Sequence, residues 1–294
     1  MSNVWILGNS FSYQTREFDK NTWMKQVANT LEYNSKNLSS NGTSLDYVYH
    51  SFNKIRHEIE SNDIIICTVT DTDRRWLFEH NPCDAIWRPL DENLDLYPVV
   101  YEEEVKFEPR DPRIVNAVNL YLKHLDNLAA HDAYLQNFLY NLNHFTKIGV
   151  RVIILPCFEN ISNVLNEYKN KFPNLHIADK SIMSISKDEF EGNEFYLSGI
   201  MRFNPDPRLN HLTTTNHNIM SQKIINYIKN NEPISFRNGF IKDCLNYHNL
   251  RDQDFSKKEL FDLNLDEYYE KYSTRQDHIA HADLERRAPL ELPR

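Results

Sequence analysis

The sequence is poor in glycine and cysteine and has no long apolar run. Each shortage narrows what the chain can be. Only six glycines occur in 294 residues, and two of them, Gly8 and Gly42, fall in loops discussed below. The four cysteines (Cys67, Cys83, Cys157, Cys244) are widely spaced. No CxxC or Cys/His spacing points to zinc, and Cys67 and Cys157 sit in strand-like runs as small hydrophobes. No apolar run approaches the ~18 residues of a membrane helix, and the first residues lack a basic and then apolar leader pattern. The expected setting is a reducing cytoplasm, or a particle assembled in one. A basic footprint is missing as well. The net charge is −9, which disfavours nucleic acid and anionic lipid as partners. Internal repeats and low-complexity tracts are absent.

What is present is ordinary for a globular chain, with 40% apolar and 26% charged residues. A chain of this length buries roughly three quarters of its unfolded surface and needs no disulfide or metal to fold. Strand and helix patterns alternate about five times. Strands are expected at 3–8, 63–70, 150–158 and 175–179, with a short extended piece within 36–44. Helices are expected at 21–33, 44–60, 112–147, 160–171 and 213–231. "DIIICTVT" (63–70) is continuously apolar, as in a parallel strand covered on both faces. The pattern predicts an α/β sheet with right-handed crossovers. Residues 71–111 read as a rim insertion. Residues 232–294 read as a C-terminal helical extension and arm, with Tyr268, Tyr269 and Tyr272 as candidate anchors for a protein partner.

In such a sheet ligands bind beyond the carboxyl ends of the strands. Four segments fall there: Gly8-Asn9-Ser10, Asn41-Gly42, Thr70-Asp71-Thr72-Asp73-Arg74, and "NHLTTTNH" (210–217). They supply a serine, a glycine amide, polar side chains and a histidine. Acyl transfer needs this set: a hydroxyl nucleophile, a base that works near pH 7, and donors for an oxyanion. His211 is preferred as the base over His217, which should lie inside the last helix. Trp76 and Trp87 flank the insertion and read as part of its own small core.

The segments resemble, in order, the four sequence blocks of the SGNH (GDSL) hydrolases. "LGNSFS" is similar to the first block, "SSNGTS" to the second, "TVTD" to the third and "RLNHL" to the fourth, over roughly residues 3 to 231. The resemblance implies a three-layer flavodoxin-like fold and a serine esterase without metal or cofactor. It implies Ser10 as nucleophile, His211 as base, and Gly42 and Thr70 at the oxyanion. Its substrate would be an acyl ester or an acetylated glycan. Asn9, Asp73 and Arg74 are the expected substrate rim.

The blocks also depart from the family. Asn9 replaces the aspartate of the first block. Thr68 and Thr70 stand where the third has glycine and asparagine. Arg208 stands where the fourth has the triad aspartate. Asp206, Asp71 or Asp73 is then the candidate partner of His211, or a backbone carbonyl orients a Ser–His dyad. The degenerate blocks, the Asn- and Tyr-rich style and the long terminal arm resemble SGNH-like proteins of bacteriophages. That resemblance implies a second role, a structural or binding protein of a virion tail or fibre.

Overall fold

A computed structural model of the chain describes residues 2–13, 22–77, 86–87, 112–192 and 209–245. Most of the 71–111 insertion, Asp206, Arg208 and the arm beyond residue 245 lie outside the described residues.

Five parallel strands form one sheet: β1 (Asn3–Leu7), β2 (Asn34–Asn37), β3 (Ile64–Val69), β6 (Arg151–Pro156) and β7 (His176–Ile177). Their order is β2-β1-β3-β6-β7. Taken alone these strands run 2-1-3-4-5, the flavodoxin-like order. A separate two-residue ladder joins β4 (Arg74–Arg75) to β5 (Ile86–Trp87).

Side chains alternate across a strand, so each central strand feeds two cores. Val4, Ile6, Ile64, Ile66, Ile153 and Leu155 face α1 (Trp23–Leu31), α6 (Ile182–Asp188) and α7 (Thr214–Asn230). Trp5, Leu7, Ile65, Cys67, Val152 and Ile154 face α2 (Leu45–Ile55), α4 (Leu128–Thr146) and α5 (Glu159–Tyr168). The result is three layers with helices on both faces. This double burial is why β3 is buried at every position and apolar at all but Thr68.

Local sequence sets the helix ends. Thr22, Ser44 and Thr213 each accept a hydrogen bond from the amide three residues on, which caps α1, α2 and α7. The helical stretch expected as one unit over 112–147 is two helices, α3 (Pro112–His124) and α4. Asn127 caps α4 by accepting from Ala130 N at 3.3 Å. The helix α6 had no counterpart among the expected elements. Residues 232–245, assigned to the extension on sequence grounds, contribute side chains to the core beside the sheet. Ile234, Phe236 and Phe240 pack in the α1/α6/α7 layer, and Leu245 bridges to Phe190. Among the described residues no helix is long and apolar enough to cross a membrane.

Candidate active site

The turn after β1 starts from Asn9. Its side chain accepts from Phe11 N at 3.1 Å, and its carbonyl accepts from Ser12 N at 3.0 Å. This asparagine turn lifts Ser10 above the sheet edge at the point where the strand order reverses, since β1 lies between β2 and β3. Two hydroxyls in the turn are therefore candidates, and their surroundings separate them. Ser12 is fully buried, with Oγ 2.6 Å from Thr68 Oγ1 and 2.8 Å from Ser39 Oγ. Ser10 is half-buried, and its Oγ lies 3.1 Å from His211 Nε2.

His211 reaches Ser10 from a 3-10 turn, Leu209–His211, just before α7. Asn210 and His211 both adopt left-handed backbone, with φ of 49° and 60°. The imidazole packs against the Phe11 ring at 4.8 Å between centroids. On its far side the turn is anchored by Glu189, a residue absent from the sequence reading. This buried carboxylate accepts from Thr213 N at 3.0 Å, Thr213 Oγ1 at 2.9 Å and Asn216 Nδ2 at 2.5 Å. His217 lies buried in α7, where its Nδ1 accepts from Trp23 N at 3.4 Å.

The second loop is held against the first. Gly8 O accepts from Ser40 N at 3.1 Å and from Thr43 Oγ1 at 3.2 Å. Gly42 itself has φ of 67°, a conformation that favours glycine. Arg74 Nη2 donates to Gly42 O at 2.7 Å. Thr70 follows β3 fully buried, and its Oγ1 has no hydrogen-bond partner among the described residues.

Ser10 and His211 are thus in direct contact, and the Gly42 turn and Thr70 occupy the adjoining strand ends. Asn9 is a correction. It is 1% exposed, with its side chain against Cys157 Sγ at 3.3 Å, so it builds the turn and offers nothing to a rim. Trp76 is half-buried and packs on α2 through Tyr47 and His50, outside the insertion to which its core role was assigned.

The charges beside the site are unusual. Burial pushes the Asp71 carboxyl up to about 6, and the neighbouring Asp73 carboxylate adds to the shift. Burial also raises Asp73 and lowers the Arg74 guanidinium to about 10. The Cys157 thiol is raised to about 12 by burial, so it stays protonated and is no nucleophile at neutral pH. Asp71 Oδ1 accepts from Ile161 N at 3.1 Å. It thereby caps α5, whose own N-cap Phe158 supplies no side-chain acceptor.

Because Asp71 has a raised pKa in the folded chain, the folded chain keeps a proton that the unfolded chain has released between about pH 4 and 6. Its contribution to stability is full below that window, falls as pH rises through it, and levels off above. Asp71→Asn keeps the acceptor for Ile161 N and removes the titration. Urea unfolding is expected to show the variant gaining on the wild type by on the order of 1–3 kcal/mol between pH 4 and pH 7. Parallel pH profiles for the two proteins would refute this account of Asp71.

No family model matches the chain, and no curated protein matches it. Among solved structures it is similar to one from Desulfitobacterium hafniense DCB-2 described as a lipolytic protein of the G-D-S-L family. The similarity covers 76% of this chain and 97% of that chain at 12% identity, with a TM-score of 0.37. Among the described residues no group of three or more His, Cys, Asp and Glu side chains is arranged to hold a metal ion.

Proposed function

We propose that the chain is a serine esterase that cleaves acyl or acetyl esters of a carbohydrate or lipid. The observation that carries this reading is the 3.1 Å contact between Ser10 Oγ and His211 Nε2, across 201 positions of sequence. Nucleophile and base are within hydrogen-bond reach, as general base catalysis requires.

His211 Nε2 takes the Ser10 proton as Oγ attacks the acyl carbon. Negative charge then develops on the former carbonyl oxygen. The amides of Ser10 and Gly42 and the Thr70 hydroxyl are the donors assigned to it. The imidazolium returns the proton to the departing alkoxide, and the acyl group stays on Ser10. Water, deprotonated by His211, attacks this ester, and collapse releases the acid and restores the serine. A carboxylate that holds the imidazole tautomer would complete a triad. Asp71 is already committed to the α5 amide, which leaves Asp206 or Asp73 as the candidate for that role.

The test is covalent labelling with a fluorophosphonate, wild type beside Ser10→Ala. Labelling that the variant abolishes is the expected result. No labelling anywhere between about pH 6 and 9, where a histidine base should act, would reject the esterase and leave a site that only binds.

A further inference from the structure

We propose that Asn210 is a positioning residue: its side-chain amide clamps the Ser10 turn to the turn bearing His211 and thereby fixes the Ser10–His211 contact. Its kinetic consequence rests on the esterase reading above; its geometric consequence does not.

Asn210 is 5% exposed and donates from Nδ2 to two carbonyls, Ser10 O at 2.6 Å and Tyr13 O at 2.8 Å. Both partners are acceptors only, so the NH₂ must face them and the orientation of the amide is fixed. The two carbonyls bracket the turn that presents Ser10. The same residue continues through its backbone directly into His211. A closed ring results: Ser10 backbone, Asn210 side chain, Asn210 backbone, His211 ring, Ser10 Oγ. Ser10 and His211 lie on loops 201 positions apart in the chain, and this ring supplies a direct tether between them.

The backbone explains why asparagine serves here. Residues 210 and 211 are consecutive left-handed residues, a strained arrangement that persists only where surroundings over-determine it. Asparagine enters that region more readily than other residues with a side chain. Aspartate has the same shape but would set an acceptor against two acceptors. Glycine tolerates the backbone and deletes the clamp.

The experiment uses the full chain with Asn210→Gly and Asn210→Asp, two variants with different risks to folding. In the kinetic arm, fluorophosphonate labelling and ester hydrolysis are compared with wild type. A misplaced base should slow labelling and lower kcat by roughly 10- to 100-fold with little change in KM. In the geometric arm, the ¹⁵N chemical shift of His211 Nε2 is read at fixed pH with and without Ser10→Ala. With Asn210 in place, Ser10→Ala should move that resonance, because it removes the hydrogen bond. In an Asn210 variant the same change should leave the resonance unmoved. Wild-type labelling rates in both variants, or a Ser10→Ala response that survives in them, would overturn the clamp. If the wild type takes no label, the esterase reading fails and the geometric arm alone decides on Asn210.

Discussion

His211→Asn is expected to lower ester hydrolysis by roughly 10³- to 10⁴-fold with little loss of thermal stability. Asparagine is the informative replacement because His211 sits at φ 60°, a conformation that asparagine accepts and alanine resists. The substitution therefore removes the base and keeps the turn. Ser10→Ala should fall at least as far, since the other serine of the turn is engaged elsewhere. Ser12 is buried and tied to Thr68 and Ser39. The double variant should be no worse than the more damaging single one, because nucleophile and base act as a unit. Hydrolysis rates for the four proteins, with thermal midpoints as the folding control, make the test. Activity of His211→Asn within tenfold of wild type would put the base elsewhere. The other histidine of that segment is a poor substitute, since His217 is buried in α7 and accepts from Trp23 N.

The fold was legible in the sequence wherever local and long-range demands agree. The nearly continuous apolar run at β3 reports burial on both faces, and Ser44 and Thr213 stand at helix starts where capping physics puts them. The meeting of Ser10 and His211 was legible because a doubly wound sheet leaves few places for a ligand. What escaped was set by contacts remote in sequence. Glu189 sits in "SKDEFEG", which reads as a solvated charge cluster. Its burial is decided by Thr213 and Asn216, more than twenty positions away. Asn9 looked like a polar rim residue, but the turn consumes its amide and Cys157 covers it. The role of Asn210 depends on the carbonyls of Ser10 and Tyr13, far away in sequence, although an asparagine in a short loop is itself a signal for left-handed backbone. The break between α3 and α4 left a trace too. The apolar stripe 115–118–122–125 is out of phase with 135–138–142–145, and Asn127 lies between them.

The junction under Ser10 gives the second large effect. Gly8→Ala is expected to destabilise the fold by about 3 kcal/mol and to abolish fluorophosphonate labelling of whatever folds. A Cβ on Gly8 would lie 1.7 Å from Thr68 Oγ1, 2.5 Å from Ser12 Oγ and 3.0 Å from Thr68 Cβ. None of these atoms can retreat easily. Thr68 is fully buried on β3, and its hydroxyl joins the Asn9 amide at 3.3 Å to Ser12 Oγ at 2.6 Å. The added methyl would push apart the atoms that seat the nucleophile's turn on the sheet. Glycine at 8 and threonine at 68 are therefore a matched pair, so the two positions should couple. Thr68→Ala removes the 1.7 Å conflict; the 2.5 Å approach to Ser12 Oγ and the 3.0 Å contact with the residue 68 Cβ remain, and Ser12, released from the Thr68 hydroxyl, can shift to relieve them. The double variant Gly8→Ala/Thr68→Ala should then be less destabilised than the sum of the singles by roughly 1–3 kcal/mol, as read by urea unfolding. Strict additivity would show that Gly8 is needed for some reason other than the close approach of Thr68. Recovery of labelling is expected to lag behind recovery of stability, because Thr68→Ala also deletes the acceptor of the Asn9 amide. A fold that returns while Ser10 stays unreactive would separate the packing of this junction from its second task, the aiming of the serine.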